Sequence, residues 1–278
     1  EKSAYNAATF STNSFIILIY FFVNNDGQKY ILSRNKRIKT IFFLKYSVKS
    51  PQKGALTHFL STFASMKTLT DTEYIHALIA EGEHQQQDFK FEISDARKIA
   101  KTLSAFANTD GGKLLIGVKD NGKIAGVRSD EEQYMIEAAA GLYCSPEVNY
   151  TMQTYQVEGR SVLVVQIEES DRKPVYAKDE TGKYLAYLRI KDENILATPV
   201  HLRVWQQSES PKGELIEYTE REQLLLNLLE ENDRLSLNRY CRLAHLSRRA
   251  AEHLLAKFVR YDIVEPVFEG HKFHFKLK

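Results

Sequence analysis

From residue 94 to 107 the apolar side chains fall at Ala96, Ile99, Ala100, Leu103, Phe106 and Ala107, the i, i+3, i+4, i+7 spacing of an amphipathic helix. Ser94 is the expected cap at its start. Asn108-Thr109-Asp110-Gly111-Gly112 is its expected stop, because glycine supplies the positive φ of a helix end. Upstream, Thr70-x-x-Glu73 forms a capping box ahead of a short helix from Asp71 to about Ala80. Alternation at Phe89 and Phe91 predicts a strand from Gln87, with Asp88 and Lys90 on its other face. Further strands are expected at 113–118, 148–156, 161–167 and 184–190, with a short edge at 173–175. A second helix is expected over 131–142. Asp120-Asn121-Gly122 predicts a hairpin returning into residues 123–127, and Glu158-Gly159 and Asp179 to Gly182 predict two more turns. Hairpins outnumber crossovers, so the fold class is α+β: a mainly antiparallel sheet with packed helices.

The pattern changes at both ends. Before Met66 no helical or alternating period is sustained. Phe, Tyr, Ile, Asn and Lys fill 30 of the first 65 positions but 53 of the remaining 213, a shift in coding regime. Residues 1–65 are therefore expected to be non-native upstream sequence or a disordered basic extension; a native basic arm against nucleic acid or a membrane surface is the alternative. Residues 66–206 form the expected α+β domain, and the polar run at 207–213 a linker. Within 214–278, Thr219-x-x-Glu222 caps a helix with Leu224, Leu225, Leu228 and Leu229 on one face. Ser236 and Ser247 cap two further helices separated by Ala244-His245-Leu246. Two alternating segments around Glu269-Gly270 close the chain. Helix, turn, helix and hairpin in that order predict a small winged helix-turn-helix domain.

Charge sharpens this division. The net of +2 divides into +7 for residues 1–65, −6 for 66–210 and +1 for 211–278; from Arg234 onward 10 basic residues face 4 acidic ones. A nucleic-acid footprint is sought first in that last stretch. Arg248, Arg249 and Glu252 are placed at the start of the second motif helix, where base edges are read. Arg242, Lys257, Lys272 and Lys276 are placed for phosphates. The longest apolar run, residues 15–23, is about half a bilayer span. No signal-peptide pattern precedes it, and Cys144 and Cys241 have no metal or disulfide spacing. A cytoplasmic protein with no membrane partner is expected. The glycine-rich stretch at 106–127 fits neither G-x-x-x-x-G-K-[ST] nor G-x-G-x-x-G, which weighs against a phosphate cradle. His271 and His274 lack a third metal ligand.

DFKFE at 88–92, SAFANTDGGKLLIGVKDNGKIAGV at 104–127, KPV at 173–175 and YLR at 187–189 resemble, in order and spacing, the Schlafen AlbA-like DNA-binding domain over roughly residues 70–200. The resemblance implies a bacterial-type DNA-binding transcription regulator, as its bacterial members are described and are often joined to a helix-turn-helix. Its RNA-cleaving animal relatives imply an alternative, a metal-dependent nuclease. There Glu83, Asp88 and Asp120 would match the acidic cluster that holds Mg or Mn and activates water. Asp88 stands where that pattern has Glu, and Lys119 where a second acid is common. Lys90 and Arg189 match the motif cations and would hold phosphate or pair with an acid. A nucleotide- or ligand-sensing regulator is a third reading. The first reading requires no cofactor; it expects double-stranded DNA as partner and allows a homodimer.

Overall fold

A computed structural model of the chain describes residues 70–127, 129–208 and 219–278, and the backbone of four strands between residues 6 and 46. Those strands are β1 (Asn6–Thr12), β2 (Phe15–Val23), β3 (Lys29–Asn35) and β4 (Phe42–Tyr46), paired antiparallel in sequence order. They belong to a unit, Glu1–Thr68, separate from Leu69–Lys278. The sequence pattern gave no element here. A continuous apolar run such as FIILIYFFV has no period of two, so a search for alternation passes over it despite its β-branched and aromatic content.

In the second unit α1 (Asp71–Glu81) starts at the expected capping box, with the Thr70 hydroxyl accepting from Glu73 N and the Glu73 carboxylate accepting from Thr70 N. After β5 (Gln87–Lys90) comes α2 (Ala96–Asn108). Its cap is Asp95 rather than Ser94: the Asp95 carboxylate accepts from Arg97 N at 2.9 Å, a stronger acceptor one residue later. β6 (Gly112–Ile116) follows. Residues 123–127 are not the strand expected from the turn at 120–122. Val118 and Ile124 make a single bridge, and both Ala125 and Gly126 donate to the Gly117 carbonyl. A Cβ on Gly117 would lie 2.9 Å from the Gly126 backbone, so the two chain segments touch where side chains would hold a ladder apart.

The remaining elements of this part are α3 (Glu131–Gly141), β7 (Cys144–Ser145), β8 (Tyr150–Val157), β9 (Arg160–Ile167), β10 (Tyr176–Lys178), β11 (Tyr184–Ile190), β12 (Glu193–Leu196) and α4 (Pro199–Ser208). One sheet runs β5-β6-β9-β8, parallel only at β5–β6, and another runs β12-β11-β10-β7, antiparallel throughout. Helix α2 joins them. Its Ile99, Leu103 and Phe106 pack with Leu114, Ile116, Val165 of the first sheet and Ala177 of the second, together with Ile136 and Ala139 of α3. The opposite face of the first sheet, Phe89, Leu115, Val162 and Val164, is covered by Ile75 and Leu78 of α1. Burial of each such side chain contributes about 1.5–3 kcal/mol, so the sheet is fixed from both faces.

The chain then forms α5 (Glu220–Glu231), α6 (Leu237–Leu243), α7 (Arg248–Arg260), β13 (Val264–Glu269) and β14 (Lys272–Leu277). Leu225, Leu228 and Leu229 of α5 meet Tyr240, Leu254, Leu255, Phe258, Val264 and Phe275 in one core. Leu224, expected on the same face, is 39% exposed. Leu235 exchanges two backbone hydrogen bonds of 2.9 Å with Phe275, which ties the segment before α6 to the hairpin. The expected linker at 207–213 overlaps the end of α4, and residues 209–218 lie outside the described residues. Val200 of α4 is buried in the C-terminal core, while Phe273 of β14 and Trp205 of α4 both pack against the cluster of Ala186, Leu188 and Ala197.

Candidate nucleic-acid interface

The motif residues of the middle region face inward. Asn108, at the end of α2, accepts from Val175 N (2.7 Å) and donates to the carbonyls of Val175 (2.8 Å) and Tyr187 (2.9 Å). Ser104, one turn earlier, donates to the same Val175 carbonyl at 2.8 Å. The Thr109 hydroxyl donates to the Ala105 carbonyl and accepts from Arg189 N. These side chains replace strand partners for β10 and β11 and clip them to the helix. A Cβ on Gly112 would stand 2.5 Å from the Phe106 ring, and one on Gly111, at φ +67°, 2.7 Å from the Ile167 carbonyl. The glycine pair is thus required for close packing at the helix stop.

The expected carboxylate cluster does not assemble. Asp88 is 3% exposed, with Oδ1 3.1 Å from an Arg189 guanidinium nitrogen and Oδ2 2.7 Å from Lys90 Nζ. Glu83 Oε1 accepts from Phe89 N at 2.8 Å. Partial burial, and then the neighbouring Asp88, push the Glu83 carboxyl above its usual range. Asp120 is exposed in its turn. Among the described residues no three His, Cys, Asp or Glu side chains stand together as a metal-holding group. The physical reason lies in Asp88: its charge is already met by two cations, and the buried guanidinium beside it would repel a third.

Of the two roles expected for Arg189, holding a phosphate or pairing with an acid, the structure shows the second. At 1% exposure it donates to Asp88, to Asn194 Oδ1 (3.0 Å) and to the Gln87 carbonyl (3.1 Å), and lies 5.1 Å over the Phe106 ring centre. Lys90 is half-exposed and held by Asp88 and its neighbour's carbonyl.

The C-terminal region presents its charges differently. Arg248 and Arg249, the first two residues of α7, are both exposed. Arg248 donates to Glu252 (3.1 Å) and Asn238 (3.2 Å), which hold the guanidinium at the helix start. Glu252 is 6% exposed and pairs also with Arg203 of α4 at 3.5 Å; it faces inward, not outward with Arg249 as the sequence reading placed it. Lys257 is also withdrawn: its ammonium lies 3.1 Å from Glu222 Oε1, both side chains being largely buried. Lys276 pairs with Glu265 across the hairpin at 2.8 Å. Lys272 and Arg242 are exposed. A concavity of about 380 Å³ beside the start of α7 is lined by Arg203, Ser247, Arg249, Ala250 and His253.

Residues 83–198 match the family described as Schlafen, AlbA_2. This stretch is a Schlafen AlbA_2 domain. No curated protein matches the chain. Among solved structures it is similar to the DIP2311 protein from Corynebacterium diphtheriae, at 15% identity and a TM-score of 0.39, over 80% of this chain. The match spans 39% of the length of that protein's chain.

The AlbA_2 domain therefore coincides with the clipped two-sheet body, and its acidic and glycine motifs hold that body together. Sequence reasoning missed Gln85, Asn194 and Thr102. Gln85 donates to the Arg189 carbonyl at 2.6 Å and accepts from Lys191 N, and Asn194 links Arg189 to the Thr102 hydroxyl. Arg203 beside Arg249 was missed as well, because it becomes a neighbour only when α4 docks on α7, and His253, one turn after Arg249 on the same helix, was passed over. No motif marks them. Among the described residues no helix is long and apolar enough to cross a membrane.

Proposed function

We propose that the chain is a DNA-binding transcription regulator in which the Schlafen AlbA_2 domain is joined to a winged helix, α5–α7 with the β13–β14 hairpin, that docks on double-stranded DNA. The observation that carries the reading is the pair of exposed arginines opening α7, Arg248 and Arg249, on a helix whose following residues Ala251, Leu254, Leu255 and Phe258 are buried. A helix anchored this way can offer only its first turn to a groove, where guanidinium groups match guanine edges. Exposed Arg242 and Lys272 supply backbone contacts; Lys257 and Arg189 do not belong to the set. The AlbA_2 family supports nucleic-acid binding as the class of activity. Binding of this kind uses no metal.

The test is retardation of labelled duplex by the full chain, with and without chelator, across a salt series. Arg248→Ala/Arg249→Ala together should weaken binding at least tenfold and flatten the salt slope. Unchanged retardation in that variant sinks the reading, and cleavage of the duplex that stops with chelator would turn it toward a nuclease.

A further inference from the structure

The first sheet has two edges, and they are treated differently. On β5 the backbone groups are taken up by neighbours: Phe89 N donates to Glu83, the Gln87 carbonyl accepts from Arg189 and His84 N, and Gln87 N donates to the His84 carbonyl. Charged Asp88 and Lys90 stand in the strand itself. The opposite edge, β8, is twice as long, eight residues against four, and its sequence YTMQTYQV has no charge, proline or glycine. Such an edge is a template for another strand unless something guards it. Among the described residues β8 pairs with β9 alone.

The register says which groups are free. The two-residue turn Glu158-Gly159, with φ of 53° and 73°, closes the hairpin at Val157↔Arg160, so that pair and alternate pairs back along the strand carry the β8–β9 hydrogen bonds. Glu168 N donating to the Asn149 carbonyl continues the same series. Tyr150, Met152, Thr154 and Gln156 therefore turn their N–H and C=O groups outward. These four positions are symmetric about Gln153. An antiparallel copy of β8 related by a twofold axis at Gln153 sets Met152 against Thr154 and Tyr150 against Gln156, and every outward group finds a partner. No like charges oppose one another in that register.

We propose that two copies of the chain associate through β8, edge to edge and antiparallel about Gln153, joining two four-stranded sheets into one. The interface is independent of the DNA reading, since none of the arginines of α7 takes part. In this register Gln153 faces its own copy in a non-hydrogen-bonded pair, with Cα atoms about 4.5 Å apart, inside disulfide range. Thr151 faces Tyr155 instead, several residues from its own copy.

The experiment uses the full chain by sedimentation and light scattering at micromolar concentration. Twice the mass of one chain is expected, shifting to one mass in Thr154→Pro, which removes an outward N–H without touching the β9 ladder; an unchanged melting temperature shows that the fold survives. In a Cys241→Ser background, mild oxidation should cross-link Gln153→Cys into a covalent pair and leave Thr151→Cys single. A monomeric wild-type chain overturns the proposal. So does a dimer in which Gln153→Cys fails to cross-link, since another face or another partner strand would then hold it.

Discussion

Arg189 in the AlbA_2 domain and Arg248 at the start of α7 both lie 3.1 Å from a carboxylate, yet they do opposite things. Arg189 has Asp88, two backbone carbonyls, Asn194 and an aromatic face around it, at 1% exposure. The Arg248 side chain is 62% exposed and uses Glu252 as a strut. A buried pair of this kind is costly to break, whereas an exposed one contributes little to stability. The difference teaches that a motif cation next to an acid is not by itself a ligand-binding cation; what surrounds the remaining N–H groups decides. By that criterion the motif cation and acid of the middle region are architecture, whereas the arginines opening α7 remain exposed.

The comparison is sharpest at Arg189. Arg189→Ala leaves Asp88 buried with Lys90 as its remaining ion pair and should destabilise the fold by about 3–5 kcal/mol in urea unfolding. A variant as stable as the wild type would return Arg189 to the surface set. Asn108→Ala removes the clip between α2 and the second sheet, with an expected loss of about 2–3 kcal/mol by the same measurement. Both variants should bind duplex normally under conditions where they stay folded.

His201 tests the contact between α4 and the C-terminal hairpin. Its imidazole accepts from Thr198 N and packs 4.7 Å from the Phe273 ring, and burial lowers its pKa from 6.5 to about 4. Below pH 6.5 the unfolded chain takes up a proton that the folded chain refuses until about pH 4. Stability should therefore fall by about 3 kcal/mol as the pH drops through that window. His201→Phe should lose this component, read as the difference between variant and wild-type unfolding curves at neutral and acid pH. At the small end, Arg248→Ala should change stability by less than about 1 kcal/mol, in contrast to Arg189→Ala, while still weakening duplex retardation.

Much of the fold was legible because it is written in local signals. The capping boxes at Thr70 and Thr219 appear where the spacing put them, and the helix from residue 96 follows its apolar stripe to Asn108. The misses have specific causes. Asp95 outcompetes Ser94 as a cap because both are good caps and only geometry chooses. The return strand at 123–127 fails because Gly117 and Gly126 come into backbone contact. The site was less legible than the fold: Glu83, Asp88 and Asp120 have the right chemistry and order, but the sequence has no notation for Arg189 arriving from β11.

Local signals in the chain settle most element types beyond residue 70, the split between an acidic body and a basic stretch from Arg234, and the AlbA_2 motif, since propensity, capping and charge act over a few residues. Only the tertiary structure decided which charges are spent on one another. Asp88 and Arg189 are separated by 101 positions, Glu222 and Lys257 by 35, and each pair meets because helices and sheets bury it together. Burial strengthens an ion pair and hides it in the same act, so whether a charged residue serves the fold or a partner is settled by packing across the chain.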